Sequence, residues 1–586
     1  MTFPPWRPLS TPPPVVLTGT GLTVGELIAL ADGEAVPAVA PEARERAVRS
    51  WRAAQRLAAG GRLYGRGTGV GAHRSVGVDE GDESAHGLRL LRSHAGGGGA
   101  PLPARQVRAM LVVRANQLLA GGAGIQPAFV DALTEALRLG VHPEVNEYGG
   151  IGTGDLTALA QTGLTLIGER PWSTAARPAR PAAAPGAGAD GPPDGDLFDS
   201  ADAARRGPGP AAGPHTSWRD LGPDPRTGPP GADAPTATAV PPPPTTRTAP
   251  GGPGDPALPL AAAPEADPAP GTLPAPVTLL PGDALALLSS NALALGQAAL
   301  AQHGLDVLLR ATHAVAALSL AAVGGSAEAY AAAVHALRPY EGAARAAGEV
   351  RRLLGIGDDA QGPSGRRIQD PFGFRAFPQA HGCALDACAR LGAIVEVEVN
   401  CPSENPLVAA DGTTAHHHGG FFAAPLGLAL DAADLALLQT AQLSVARLSA
   451  LGDPDLTGLP AFLAAGPASS SGTMILEYTA NSALAELRAC AAPASAGHAV
   501  LSRGLEEAAS FAGQAARQTL RATEAYGTVL ACELVTAVRA LWLWPVPPTV
   551  PAFTLATAAL PLGTDDRPLT GDLAAAAELL PRLAEL

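Results

Sequence analysis

Apolar residues recur with a helical period through most of the second half of this chain, over lengths that only a helix bundle can bury. The pattern runs from Pro281 to Gly324, Ser326 to Leu354, Gln379 to Val399, Pro425 to Leu451, Gly472 to Ala491 and Ser502 to Trp544. Aromatic residues make up only 4% of the chain, against 46% apolar overall, so Ala, Leu and Val must pack the core. Ala and Leu are strong helix formers, and small residues let long helices approach closely. The expected fold is therefore mainly α, a long-helix bundle over residues 277 to 586. Ahead of it, residues 1 to 172 read as a smaller, loop-rich part, with a short strand at Val15-Val16-Leu17 and then two helices. Between the two, residues 173 to 276 turn abruptly to Pro, Ala, Gly, Thr and Asp, with the run Pro241-Pro242-Pro243-Pro244. So little apolar surface cannot offset the entropy of ordering, and this segment is expected to be a disordered insertion. Closure entropy rises only logarithmically with loop length, so the fold can resume after it at small cost.

Composition excludes several functions. The formal net charge of −14 argues against a nucleic-acid binder. No lysine occurs, so all 40 basic residues are arginine, which removes lysine Schiff-base chemistry and with it the usual use of pyridoxal phosphate (PLP). Five scattered cysteines, Cys383, Cys388, Cys401, Cys490 and Cys532, form no C-x-x-C pair, which points to a reducing compartment and no structural zinc. Met1 to Pro14 lacks the basic and apolar regions of a signal peptide. The uncharged stretch Ala284 to Gln302 is interrupted by Ser289, Ser290, Asn291 and Gln297, as befits a bundle helix rather than a membrane span. A soluble, cytoplasmic protein is expected.

The most unusual local feature is Tyr148-Gly149-Gly150-Ile151-Gly152-Thr153-Gly154-Asp155-Leu156, a glycine-crowded turn running into an apolar helix, Leu156 to Gly168. Glycine is costly to order, so a turn this rich in it has a use. Asp155 stands where the N-cap of that helix belongs. Phosphate binding fits badly: a P-loop needs lysine, and Asp155 occupies the place of the third glycine of G-x-G-x-x-G. Backbone chemistry is the other reading. The Gly154 nitrogen can attack the Gly152 carbonyl, and loss of the Thr153 hydroxyl as water leaves an electrophilic ring.

Gly152-Thr153-Gly154-Asp155-Leu156-Thr157-Ala158-Leu159-Ala160 resembles the signature of the aromatic amino acid ammonia-lyase family, the histidine and phenylalanine ammonia-lyases and related aminomutases. In that family Ala-Ser-Gly cyclises to a methylidene-imidazolone, followed by Asp-Leu-Ala-Pro-Leu-Ala. Here Gly and Thr replace Ala and Ser, so dehydration of Thr153 would leave an ethylidene group. Tyr64-Gly65-Arg66-Gly67-Thr68-Gly69-Val70-Gly71 is similar to the family's Tyr-Gly-x-Asn-Thr-Gly-Phe-Gly, whose tyrosine removes the substrate β-proton. A tyrosine pKa near 10 must be lowered for that role, through cationic neighbours or a helix N-terminus. Ser93-His94-Ala95 resembles a segment carrying a substrate-pocket histidine, and Arg114-Ala115-Asn116 an architectural one.

The resemblance continues through the second half and implies further site residues. Leu285-Ala286-Leu287-Leu288-Ser289-Ser290-Asn291 is similar to Leu-Ala-Leu-x-Asn-Gly-Thr, putting Ser289 where an asparagine supports the electrophile; on a continuous helix Asn291 would face elsewhere. Gln369-Asp370-Pro371-Phe372-Gly373-Phe374-Arg375 is similar to Gln-Asp-x-Tyr-Ser-x-Arg, so Arg375 is implied as the carboxylate clamp and Phe372 has lost a phenol. Gly419-Gly420-Phe421-Phe422 implies Phe422 as a ring beside the electrophile. Leu505-Glu506-Glu507 aligns Glu506 with an active-site glutamate, expected to share a helix face with Ser510, Gly513 and Arg517. His416-His417-His418 is read as a solvated loop, because successive residues converge poorly on a metal. Together these imply a homotetramer with shared sites, an autocatalytic imidazolone, no metal, no membrane or nucleic-acid partner, and a small carboxylate-bearing substrate larger or less polar than the usual ones. Two alternatives stay open: an electrophile-free cyclase or isomerase using Tyr64 and Glu506, and a non-catalytic scaffold with the insertion as its arm.

Overall fold

The computed structural model describes residues 13–61, 63–174, 273–360, 367–561 and 563–586. The insertion expected to be disordered lies, apart from its ends, outside the described residues. The described residues on both sides of it fold as one compact unit around one apolar core that runs from Leu17 to Ala584. The loop-rich part and the bundle thus share a core.

The strand expected at Val15 spans Pro14–Leu17 and pairs in parallel with Val36–Val39. Between them lies α1, Val24–Asp32, started by a capping box between Thr23 and Glu26. Then follow α2 (Pro41–Ala59), the Tyr64 loop, α3 (Glu83–His94), α4 (Ala104–Ala120), α5 (Ala128–Leu139) and α6 (Leu156–Leu166). α4 is buried on nearly all sides and packs on the long helix α8, Ala292–Ala322. Gly296 sets that approach: a Cβ there would stand 2.8 Å from Met110 N and 2.9 Å from the Ala109 carbonyl carbon.

A short helix α7 (Asp283–Leu288) precedes α8, and after it come α9 (Ala332–Ala336), α10 (Glu341–Leu354), α11 (Phe372–Arg375), α12 (Phe377–Val399), α13 (Ala424–Leu451), α14 (Pro454–Thr457), α15 (Met474–Cys490) and α16 (Ala512–Trp542). α16 runs along α8, α13 and α15, which makes it the axis of the bundle. The spans Asp283–Ala322 and Ala512–Trp542 are long and apolar enough to cross a membrane, yet 89% and 83% of their most apolar windows are buried inside the bundle. Where these helices meet α13, Glu533 accepts from Ser319 Oγ at 2.7 Å, from Arg447 Nε at 2.6 Å and from Arg447 Nη2 at 2.9 Å. Both members of this ion pair are fully buried, a state tolerated because the remaining polar atoms are also bonded; Arg447 Nη1 donates to Gly373 O at 3.0 Å and so fixes α11.

Three expected helices are not continuous. Ser326 to Leu354 is broken into a 3-10 turn at Glu328–Tyr330, α9 and α10, with Pro339, which has no N–H to donate, in the gap. Ser502 to Trp544 opens with a 3-10 turn at Ser502–Gly504 and becomes α-helical only at Ala512, because Arg503 and Phe511 take the left-handed conformation (φ 58° and 51°) and Leu501 bridges Glu506. Pro281 to Gly324 breaks at Ser289-Ser290-Asn291, beside the glycine turn.

Candidate active site

The turn is reached from the strand Asn146–Tyr148, which pairs with Gly98–Pro101, and leaves through α6. Gly152 and Gly154 have φ of +85° and +108°, which residues with a Cβ rarely adopt. Distant elements hold the backbone. Ile151 O accepts from Phe511 N at 2.8 Å; Gly152 O accepts from Ser510 Oγ at 2.9 Å and Ala423 N at 3.4 Å; Gly154 N donates to Asn291 Oδ1 at 3.1 Å; Asp155 N donates to Ser290 O at 2.7 Å.

Two expectations are corrected here. Asp155 occupies the N-cap position of α6 but makes no cap bond there; its Oδ2 accepts from Ala294 N at 2.9 Å, so it caps α8 instead. The side chain on the turn is Asn291, not Ser289. The break in the helix cancels the facing argument, and Asn291 spans Gly154 N and the Phe421 carbonyl. The carbonyls freed by the break are all bonded. Arg114 donates to Ala286 O and, at 3.1 Å, to Leu287 O; Ser403 Oγ donates to Ser289 O at 3.0 Å. Arg114 also pairs with Glu404 at 2.7 Å, both side chains 1% exposed.

Burial pushes the Asp155 carboxyl up to about 6, opposed by the Ala294 and Leu293 amides and by Arg517. The folded state therefore holds a proton that the unfolded chain releases from 3.8 upward. Stability should fall as pH rises from 3.8 to about 6, by on the order of 3 kcal/mol, and level off above. Urea midpoints across this window should fall less in Asp155→Asn than in the native chain, the remainder coming from other buried carboxyls such as Asp434, which burial pushes up to about 8.

Beside the turn opens a cavity of about 690 Å³ that brings together Tyr64, His94, Thr153, Gly154, Ser289 and Glu506. Tyr64 Oη accepts from Gly71 N at 2.8 Å, and its ring meets His417 edge-on at 6.3 Å between centroids. Burial raises its pKa; the Gly71 amide and Arg74 pull it down, while Glu506 adds to the rise. The phenolate-stabilising surroundings expected of a base are thus not complete within one chain. His94 ends α3. Its Nδ1 must donate to Leu90 O at 3.0 Å, a pure acceptor, which leaves Nε2 as an acceptor in the neutral ring. Glu506 reaches the cavity from the loop before α16, not from the helix face expected for it. The cavity wall mixes Val70, Val76, Leu285 and Phe421 with Asp79, Asp82 and His86, so it is more polar than the sequence implied.

Other expected residues stand apart from the cavity. Phe421 lines it, whereas Phe422, next along the chain, is 37% exposed. Arg375 lies outside the lining, its guanidinium 4.2 Å over the Phe372 ring and its Nε buried without a partner; Phe372 is 65% exposed. His418 is bonded to Glu404 O at 2.7 Å and to Gly420 N at 2.9 Å, and no group of three metal-ligating side chains occurs among the described residues. The sequence sets Asn291 aside and does not single out Phe421, because their places depend on the helix break and the Gly419-Gly420 turn. The residue type of Asn291 was the one available signal.

Residues 22–188 and 269–558 match the family model for aromatic amino acid lyase. The histidine ammonia-lyase of Anaeromyxobacter dehalogenans is 32% identical over 97% of this chain and 98% of its own length. Among solved structures, the ergothioneine-degrading ergothionase of Treponema denticola superposes with a TM-score of 0.75 at 21% identity, covering 98% of this chain and all of that one. Tyrosine aminomutase of Streptomyces globisporus gives a TM-score of 0.75 at 22% identity, covering 97% of both chains. These two share the mainly α fold. With the turn, the Tyr64 loop and the cavity between them, the match makes this chain a member of the aromatic amino acid lyase family and a carbon–nitrogen lyase-like enzyme.

Proposed function

We propose that the chain is a divergent ammonia-lyase-type enzyme that removes an amine from an amino acid, or adds one to a related unsaturated carboxylate-bearing substrate. The observation that carries this reading is the cavity shared by Tyr64, His94, Glu506 and the Thr153-Gly154 edge of the turn. Gly152, Thr153 and Gly154 fit an autocatalytic imidazolone: both glycines hold positive φ, and the two groups that must join, Gly152 O=C and Gly154 N, are bonded by Ser510 and Asn291 from outside the turn. Such a ring supplies an electrophile that takes up the amine. Tyr64 moves the β-proton, with the Gly71 N–H on its oxygen favouring the ionised form. Glu506 serves as acid and base across the cavity, and the His94 Nε2 lone pair accepts a substrate N–H or O–H.

The carboxylate clamp, Arg375, comes from a second copy in a homotetramer. Leu428 and Leu435, seven residues apart on one stripe of α13, are 60% and 46% exposed, and the unpartnered Arg375 Nε supports the same reading. An arriving cation would also draw down the Tyr64 pKa. All five cysteines are free, in keeping with cytoplasmic work, and the altered residues around the turn suit a specialised biosynthetic step.

The test combines three measurements on the full chain: the mass of the peptide containing Gly152-Thr153-Gly154, amine release from a panel of amino acids that includes histidine, and light scattering. A peptide two waters light, amine release and a tetramer are expected. A monomer would remove the shared-site model. An unmodified peptide would turn the reading to electrophile-free isomerisation or cyclisation by Tyr64 and Glu506.

A further inference from the structure

We propose that Ser510 and Asn291 drive the backbone cyclisation itself: Ser510, with the Ala423 amide, forms an oxyanion site for the Gly152 carbonyl, and Asn291 aligns the attacking Gly154 nitrogen. This rests on the reading that the turn cyclises. Three bonds converge on the two reacting groups. Ser510 Oγ donates to Gly152 O at 2.9 Å, Ala423 N donates to the same oxygen at 3.4 Å, and Asn291 Oδ1 accepts from Gly154 N at 3.1 Å. Each polar side chain is fixed at both ends. Ser510 is 4% exposed, and its Oγ accepts from Ala512 N at 3.4 Å, which directs its own hydrogen towards Gly152 O. Asn291 donates through Nδ2 to Phe421 O, so its Oδ1 can only face the Gly154 amide. Ala512 opens the 31-residue α16, whose N-terminal dipole adds positive potential near the same carbonyl oxygen.

The reaction balances without an oxidant. The Gly154 nitrogen bonds to the Gly152 carbonyl carbon, and charge collects on the oxygen held by Ser510 and Ala423. That oxygen leaves as the first water with the hydrogens of Gly154 N and Thr153 N, forming a C=N bond. The Thr153 hydroxyl leaves as the second water with the Thr153 Cα hydrogen, forming the exocyclic C=C bond. The same geometry accounts for the glycine at 152. A Cβ there would overlap the Ser510 hydroxyl and lie 3.0 Å from both the Phe511 and Ala512 nitrogens. Glycine at 152 and serine at 510 are therefore one device, the absent side chain making room for the donor.

The experiment is cell-free synthesis of the full chain with the mass of the Gly152-Thr153-Gly154 peptide followed in time. The native chain should lose two waters. Ser510→Ala should slow the loss by on the order of 10²-fold, as removal of one oxyanion donor does, while Ser510→Thr, which keeps a hydroxyl, stays within about tenfold of native. Asn291→Ala should slow it as well, and Gly152→Ala should slow it by displacing the hydroxyl. Loss of water in Ser510→Ala at the native rate, with circular dichroism unchanged, overturns the proposal and leaves the cyclisation reading standing. An unmodified native peptide overturns both. If Ser510→Ala does not reach the native spectrum, Ser510→Cys keeps the volume with a weaker donor and carries the same two outcomes.

Discussion

Replacing Tyr64 by Phe is expected to lower turnover by roughly 10²–10⁴-fold, the usual worth of a positioned general base, while the mass of the turn peptide stays that of the native chain. Tyr64 lines the same cavity as Thr153 and Glu506, and the substitution removes its phenol oxygen without changing the ring. The Gly71 N–H loses its acceptor, which costs on the order of 1–2 kcal/mol, so a small drop in Tm should accompany the loss of kcat. The native rate should climb with pH as the base ionises, burial within one chain setting that climb higher and an arriving Arg375 setting it lower. That climb should vanish in Tyr64→Phe. Stopped-assay kinetics across pH, with the peptide mass beside them, check both arms, and undiminished kcat would remove Tyr64 as the base.

Replacing Arg114 by Met is expected to destabilise the fold by roughly 3–5 kcal/mol, because it strands the buried carboxylate of Glu404 and releases the Ala286 and Leu287 carbonyls. Arg114 touches nothing in the cavity, yet it holds the end of α7 where the helix stops and Asn291 turns towards Gly154. Urea unfolding measures the loss. The double change Arg114→Met with Glu404→Leu should recover a large part of the stability, since the uncompensated charge goes with it. Recovery of stability with a less ordered turn would separate the electrostatic role of the pair from its positioning role.

Much of the molecule is legible in the amino-acid order because the signals are local. Apolar period marks α8, α12, α13, α15 and α16, the glycines mark the turn, and the Tyr64 loop carries its own pattern. What stays hidden is set by partners far away in sequence. Ser289-Ser290-Asn291 offers cap and turn residues but not the partners that make the helix stop there; the stop holds because Arg114, Ser403 and Asp155 bind the carbonyls and amides it exposes. The cap from Asp155 to α8 is hidden for the same reason, since an acidic residue at a helix start reads as that helix's own cap. Glu506 was placed on the wrong element because left-handed Phe511 delays α16, and periodicity carries no mark of a single positive φ. The resemblance implies Phe422, while Phe421 is the ring that lines the cavity, because neighbouring rings in a glycine loop differ only in which way the loop turns.

The bond from Ser510 to Gly152 joins residues 358 positions apart. A ribosome adding about 5–20 residues per second needs roughly 20–70 s to cover that distance, so the turn leaves the exit tunnel long before its partners exist. Through that interval the turn lacks the bonds from Ser510 and Phe511 that hold its backbone. Arrival of the last long helix acts as a clock: the geometry of the turn is set only once the polypeptide that must contain it is nearly whole.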